Sequence, residues 1–154
     1  MSEPSVTHAS FTIERRYDAA PARVFAAFAT EAGKSAWFAG PEGWSSVERV
    51  FEFRIGGEEV LKGRFPDGKT TDFRCRYFDI VPDRRIVYAY GMHIDGVRIS
   101  VSLATIELHP DGEGTRLIVT EQGAFLDGYD DAGSRERGTG WLMDKLGATL
   151  PHQA

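Results

Sequence analysis

Glu121 shares strand parity with Leu117 and Val119, a spacing that turns its carboxylate toward the same side as two apolar side chains. An unpaired carboxylate in that position is costly and titrates upward, which is the condition of a general acid or base. Arg135 falls on the apolar side of a C-terminal helical segment, so a Glu121–Arg135 pair at a cavity mouth would satisfy both groups. Such a pair would anchor a ligand head group or tie helix to sheet. The cheaper alternative is a strand that frays at Glu121 and leaves both side chains solvated, because buried ions are rare. Around these two stand Trp37, Phe38, Phe53, Tyr77, Tyr88, Tyr90 and Phe125, with Met92 alongside. Alternation puts several of them on one sheet face, and tyrosines combine apolar rings with polar tips, which suits a pocket for an amphipathic small molecule. Plain core packing is the competing reading, although so many tyrosines in a core require hydroxyl partners or enclosed water.

Other chemistries find less support. His8, His93, His109 and His152 have no carboxylate or second histidine at a ligand spacing, so a surface role is expected for them and no metal centre. Cys75, the single cysteine, lies in phase with Phe73 and Tyr77 and reads as a buried, inert thiol. Gly56-Gly57 lacks the lysine and following helix of a phosphate loop and reads as a turn; Arg84-Arg85 reads as a solvated corner. No serine-centred elbow appears, no cofactor is implied, and Glu121 is the one candidate for catalysis.

The 154 residues suit one domain, with loose ends expected at about 1–9 and 151–154. With 42% hydrophobic and 27% charged residues, the composition is that of a globular protein. A net charge of -5, with no cluster of Lys and Arg, argues against nucleic acid or anionic lipid as a partner. The polar stretch from Met1 to Ser10 has no apolar run of the kind a signal peptide or membrane span needs, and a lone cysteine fits a reducing compartment, so the cytosol is expected.

The elements that must position these residues are readable by period. Phe11, Ile13 and Tyr17 alternate with polar neighbours as a first strand; Pro21 to Ala29 forms a short amphipathic helix, and Thr30 caps a second that ends near Trp37 and Phe38. Val47, Arg49, Phe51 and Phe53 share one phase up to Gly56-Gly57. Strands follow over Val60 to Phe65, through Phe73, Cys75 and Tyr77, and through Ile86, Tyr88 and Tyr90, separated by Pro66-Asp67-Gly68 and Asp83-Arg84 turns. Asp95-Gly96 marks another hairpin. Between Ile99 and Leu108 the apolar parity switches, which predicts a bulge or bend near Leu103. Asp111-Gly112 turns into a last strand, and a flexible stretch from Gly123 to Gly133 leads to a long helix capped by Ser134, with Leu142, Leu146 and Leu150 as its apolar stripe. The order is α+β: a continuous antiparallel meander whose concave face one long helix can fill.

Several of these segments together resemble a known family. Phe53-Arg54-Ile55-Gly56-Gly57, the Pro66-Asp67-Gly68 turn, the run from Val81 to Tyr90, and Pro110 to Leu117 occur in order, with Ala20-Pro21, Val24-Phe25 and the Thr30 to Phe38 segment before them. In this they are similar to the bacterial homologues of the heat-shock-protein ATPase activator. That family sits within the START-like superfamily, also labelled SRPBCC, which includes the birch-pollen allergen and polyketide cyclases. The resemblance runs from about Phe11 to Leu150 and implies the helix-grip fold: a curved antiparallel sheet of about six or seven strands around a long C-terminal helix, with two short helices after strand 1. Where the family pattern has Leu one turn after a Trp that follows Gly, this chain has Lys145, so Trp141 is read as flanking the stripe or meeting another chain, as in a homodimer.

Three functions remain open on these residues. The first is a protein that encloses an apolar or aromatic small molecule, lipid-like or polyketide-like. The second is a cyclase, dehydratase or hydrolase using Glu121, with a tyrosine hydroxyl positioning substrate. The third is a protein-interaction or ATPase-regulating module acting through the sheet or the Trp141 side of the helix; the resemblance implies this role for the eukaryotic activators.

Overall fold

Alternating apolar residues build a sheet of seven antiparallel strands in the computed structural model, which describes residues 3–150. The strands are β1 (Val6–Tyr17), β2 (Ser45–Phe51), β3 (Glu58–Arg64), β4 (Thr70–Val81), β5 (Arg85–Ile94), β6 (Val97–Asp111) and β7 (Gly114–Leu126). Their order is β1-β7-β6-β5-β4-β3-β2, so β2 to β7 form a meander and β1 closes onto β7. Three helices accompany them: α1 (Pro21–Ala29), α2 (Glu31–Ser35) and α3 (Ala132–Thr149). This is the helix-grip arrangement, with α3 against the concave face.

Local chemistry explains the helices. Pro21 starts α1, where its missing N–H costs nothing, and Val24, Ala27 and Phe28 are the buried side. The Thr30 hydroxyl accepts from the Gly33 N–H at 3.0 Å and caps α2. Only glycine fits at 33, since a Cβ would stand 2.6 Å from the Ala26 carbonyl oxygen of α1. Asp131, rather than Ser134, caps α3, its carboxylate accepting from the Ser134 N–H at 2.8 Å. The helix is then seated on β1 by Tyr17, whose hydroxyl donates to the Met143 carbonyl at 2.7 Å, and by an Arg15–Asp144 ion pair of 2.7 Å. Met143 and Leu146 are its most buried side chains, with Leu142 half-buried beside them.

Besides the cap of α3, four sequence expectations need correction. Residues 6–9, expected to be loose, are in register with β7, Val6 lying opposite Leu126. The segment from Gly123 to Leu126, expected to be flexible, is strand paired on both sides, so β7 passes well beyond Glu121. In β2, a bulge between Ser46 and Glu48 leaves Val47 outward, and the strand ends at Phe51, so Phe53 is not a strand residue. Finally, the irregularity of β6 is a bulge at Ile99, where Met92 pairs with Ser100 and His93 with Arg98, and not a bend near Leu103. From there the inward parity runs through Ser100, Ser102, Ala104, Ile106 and Leu108, while Val101 and Leu103 face outward. Two inward serines broke the apolar pattern from which parity was read. Expectations for Met1, Ser2 and residues 151–154, His152 among them, lie outside the described residues.

Candidate functional site

The rings of the sheet form one connected aromatic layer. Phe53 meets Tyr77 at 5.0 Å between centroids, Tyr77 meets Tyr88 at 5.8 Å, Tyr88 meets Tyr90 at 5.9 Å, Tyr90 meets Phe73 at 5.1 Å and Phe73 meets Phe38 at 4.9 Å. Parity on β4 and β5 places the tyrosines, and Trp37 and Phe38 drop onto the layer from the end of α2. Trp37 is fixed by its indole N–H, which donates to the Ala27 carbonyl at 2.9 Å. Between this layer and α3 lies a pocket of about 300 Å³ with a largely apolar wall. Of the residues nominated from sequence, Trp37, Phe38, Tyr88, Tyr90, Met92, Glu121 and Arg135 line it. Phe53, Tyr77 and Phe125 do not: the first two pack further along the layer, and Phe125 lies under the Arg135 guanidinium at 5.5 Å.

Two clusters of charged side chains interrupt the apolar wall among the described residues. At one, Glu121 of β7 is 4% exposed, so the solvated reading fails, yet it does not pair directly with Arg135. The Arg135 Nη1 donates to the Tyr90 hydroxyl at 2.9 Å, and that hydroxyl donates to Glu121 Oε1 at 2.5 Å. Thr139, one turn further along α3, donates to Glu121 Oε2 at 3.3 Å. The direct ion partner of Arg135 is Asp130 at 3.0 Å, and Ser100 accepts from the same guanidinium at 2.7 Å. Thus the inward serine of β6 has its partner on the helix. Burial pushes the Glu121 carboxyl above the usual carboxylate range, and the hydrogen bonds from Tyr90 and the charge of Arg135 offset only part of that. Burial and the neighbouring Glu121 likewise raise the Tyr90 hydroxyl.

The second group was not foreseen from sequence. Lys34 of α2 and Glu59 of β3 form an ion pair of 2.9 Å with side chains 5% and 0% exposed. The Tyr77 hydroxyl donates to the same Glu59 oxygen, and Glu59 Oε2 has no hydrogen-bond partner among the described residues. Three rings surround the ammonium, with centroids at 4.7 Å for Phe38, 5.4 Å for Trp37 and 6.0 Å for Tyr88. Lys34 also lines the pocket. One signal was available: Glu59 shares parity with Leu61, which is buried and lines the pocket, just as Glu121 shares parity with its own apolar neighbours. For Lys34 there was none, because a lysine in a five-residue helix reads as solvated.

The remaining candidates are quiet. The Cys75 thiol is buried and pushed up to about 12, first by burial and then by the charge of Glu59, which leaves it protonated. Among the described residues no group of three His, Cys, Asp or Glu side chains is placed to hold a metal ion, and no helix is long and apolar enough to cross a membrane. Trp141 is 43% exposed, with the Lys145 ammonium over its ring at 4.8 Å. It stands between the pocket and a shallow outer groove along β1 and α3 that Arg15, Glu136, Arg137 and Asp144 border.

Comparison with known proteins covers nearly the whole chain. The family model described as Activator of Hsp90 ATPase homolog 1-like protein matches residues 18–151. A crystal structure of a Rhizobium loti protein is 47% identical, covering 95% of this chain and 99% of its own, with a TM-score of 0.88. A structure of a Rhizobium leguminosarum protein is 39% identical over 96% and 97% of the two chains, with a TM-score of 0.90. The AHSA1 protein of Silicibacter pomeroyi shares the fold at 23% identity and a TM-score of 0.71, with 91% of this chain and 96% of that one covered. No curated protein matches the chain.

Proposed function

The chain belongs to the Activator of Hsp90 ATPase homolog 1-like family, and on that premise we propose that it is a cytosolic binding protein for an apolar or aromatic small molecule of lipid-like or polyketide-like character. The observation that carries this reading is the pocket of about 300 Å³ between the aromatic layer and α3. Its volume is at the small end for ligand sites, which favours a compound of one to three rings or a short chain. The charged groups that interrupt the apolar wall gather around Glu121 and around Lys34, a pattern that orients an amphipathic ligand while its burial supplies the affinity.

The geometry supports catalysis by Glu121 less well. Both of its oxygens are engaged, by Tyr90 and by Thr139, so the carboxylate serves to hold two pocket-lining hydroxyls in place. Trp141 supports a second reading, a homodimer contact, through its half-exposed indole beside β1, an edge strand of the sheet. One experiment separates these readings: the protein is purified under native conditions, extracted with organic solvent for mass spectrometry, and its melting point and solution mass are measured with and without the extract. A co-purified hydrophobic compound that raises the melting point is expected, since binding only to the native state stabilises it. An empty extract, together with no stabilisation by any hydrophobic compound tried, would remove the binding reading; a dimeric mass that Trp141→Glu reduces to a monomer would favour the interface.

A further inference from the structure

We infer that Lys34 is the polar anchor of this pocket and that its ligand carries an uncharged acceptor oxygen, a ketone, ester or amide carbonyl, which the ammonium holds. The inference rests on the binding function proposed above and narrows the chemistry of the ligand. The two polar groups of the pocket differ in what they have left to give. At the Glu121 group, both carboxylate oxygens and the Tyr90 hydroxyl are bonded to protein, and Tyr90, Ser100 and Asp130 take three of the five N–H donors of Arg135, which lies nearer the rim with its side chain 12% exposed. An ammonium has three N–H donors, and at Lys34 the only acceptor within hydrogen-bond distance among the described residues is Glu59 Oε1. Rings of Phe38, Trp37 and Tyr88 lie against it, which stabilises the charge without taking its hydrogen bonds in a directed way. A side chain 95% buried, lining an apolar pocket and holding donors in reserve, selects a ligand that brings an acceptor.

Charge decides which acceptor. Lys34 and Glu59 already cancel, and Glu59 Oε2 is buried without a partner. An anionic ligand would place a second negative charge close to that carboxylate, where the Lys34 and Glu59 side chains are only 5% and 0% exposed and screening is weak, which opposes binding. A neutral carbonyl gains a charge-assisted hydrogen bond without this repulsion.

The test compares acetylnaphthalene with isopropenylnaphthalene, which replaces the carbonyl oxygen by a methylene of the same shape, using titration calorimetry on the wild type and on the Lys34→Met/Glu59→Gln pair. Removing both charges together avoids stranding Glu59. The wild type is expected to bind the ketone about tenfold more tightly than the hydrocarbon, as one hydrogen bond to a charged group implies. In the double variant that preference disappears, and the hydrocarbon binds as before. Equal affinity of the wild type for both probes, or an undiminished preference in the double variant, overturns the role of Lys34 and leaves the pocket function standing. Failure of both probes to bind the wild type overturns this inference for aromatic ketones, and it removes the pocket function as well when the native extract is also empty. Should the double variant unfold, the carbonyl stretch of the ketone bound to wild type is read instead: a frequency at or below its value in water is expected, and a hydrocarbon-like frequency overturns the inference.

Discussion

Two buried polar clusters face one pocket, and they neutralise charge in opposite ways. Lys34 and Glu59 touch directly, 2.9 Å apart, where neither side chain is more than 5% exposed. Arg135 and Glu121 do not touch; the Tyr90 hydroxyl stands between them, and Arg135 takes its counter-charge from Asp130 near the rim, with side chains 12% and 20% exposed. Deep in the fold, direct pairing is the only way to retain both charges, because the desolvation of either alone is severe. At the rim, Arg135 and Asp130 are partly hydrated, which lowers that cost for the cation, while the buried Glu121 is held by the neutral hydroxyls of Tyr90 and Thr139 and so needs no direct ion partner.

The largest expected effect breaks the deeper cluster. Lys34→Met alone leaves Glu59 charged and unpaired, and urea unfolding should show a loss of about 3–5 kcal/mol. The Lys34→Met/Glu59→Gln pair should recover most of it. A loss below about 1 kcal/mol for the single variant, the size typical of exposed pairs, would mean that Lys34 is solvated and the contrast is false.

A smaller effect sharpens the rim cluster. Glu121→Gln and Arg135→Gln, singly and together, should show a coupling of about 1 kcal/mol, and the coupling should vanish when the cycle is repeated on Tyr90→Phe. Coupling that survives without the hydroxyl would point to a direct charge interaction; strict additivity in the Tyr90 background would leave no relay at all.

The smallest effect is a slope. Because burial raises the Glu121 carboxyl, the folded protein binds its proton more readily than the unfolded chain does. Stability from this group therefore falls as pH rises from the ordinary carboxylate value through the raised one, and it returns on acidification. Glu121→Gln removes this contribution, so the stability of the variant relative to wild type should increase with pH across that window, as read from urea unfolding at a series of pH values. A gap that stays constant, or runs the other way, would show the carboxylate to be ionised with no penalty.

Much of the fold was legible along the chain. Asp95 and Gly96 adopt φ of 49° and 77°, the left-handed turn that the pair of residues demands, and Gly68 at 91° closes the Pro66-Asp67-Gly68 turn. Tyr88 and Tyr90 share the pocket face as their parity required. Parity failed on β6, where Ser100 and Ser102 point inward: a hydroxyl has no hydrophobic signature, and the partner that makes Ser100 welcome inside, Arg135, arrives from a helix 35 residues later. The same blindness hid Lys34, whose partner lies 25 residues away on β3.

Alternation, turn chemistry and helix caps act between neighbours in sequence, so this chain by itself determined most of the seven strands and three helices of the described residues and the face on which the Tyr88 and Tyr90 rings gather. Whether the rings enclose space, which of two solutions a buried carboxylate takes, and that Lys34 becomes a buried cation beneath three aromatic rings were decided only in the folded molecule. Those outcomes depend on the curl of the sheet and the seat of α3 and α2 upon it, and the balance between desolvation and pairing exists only once distant segments have met.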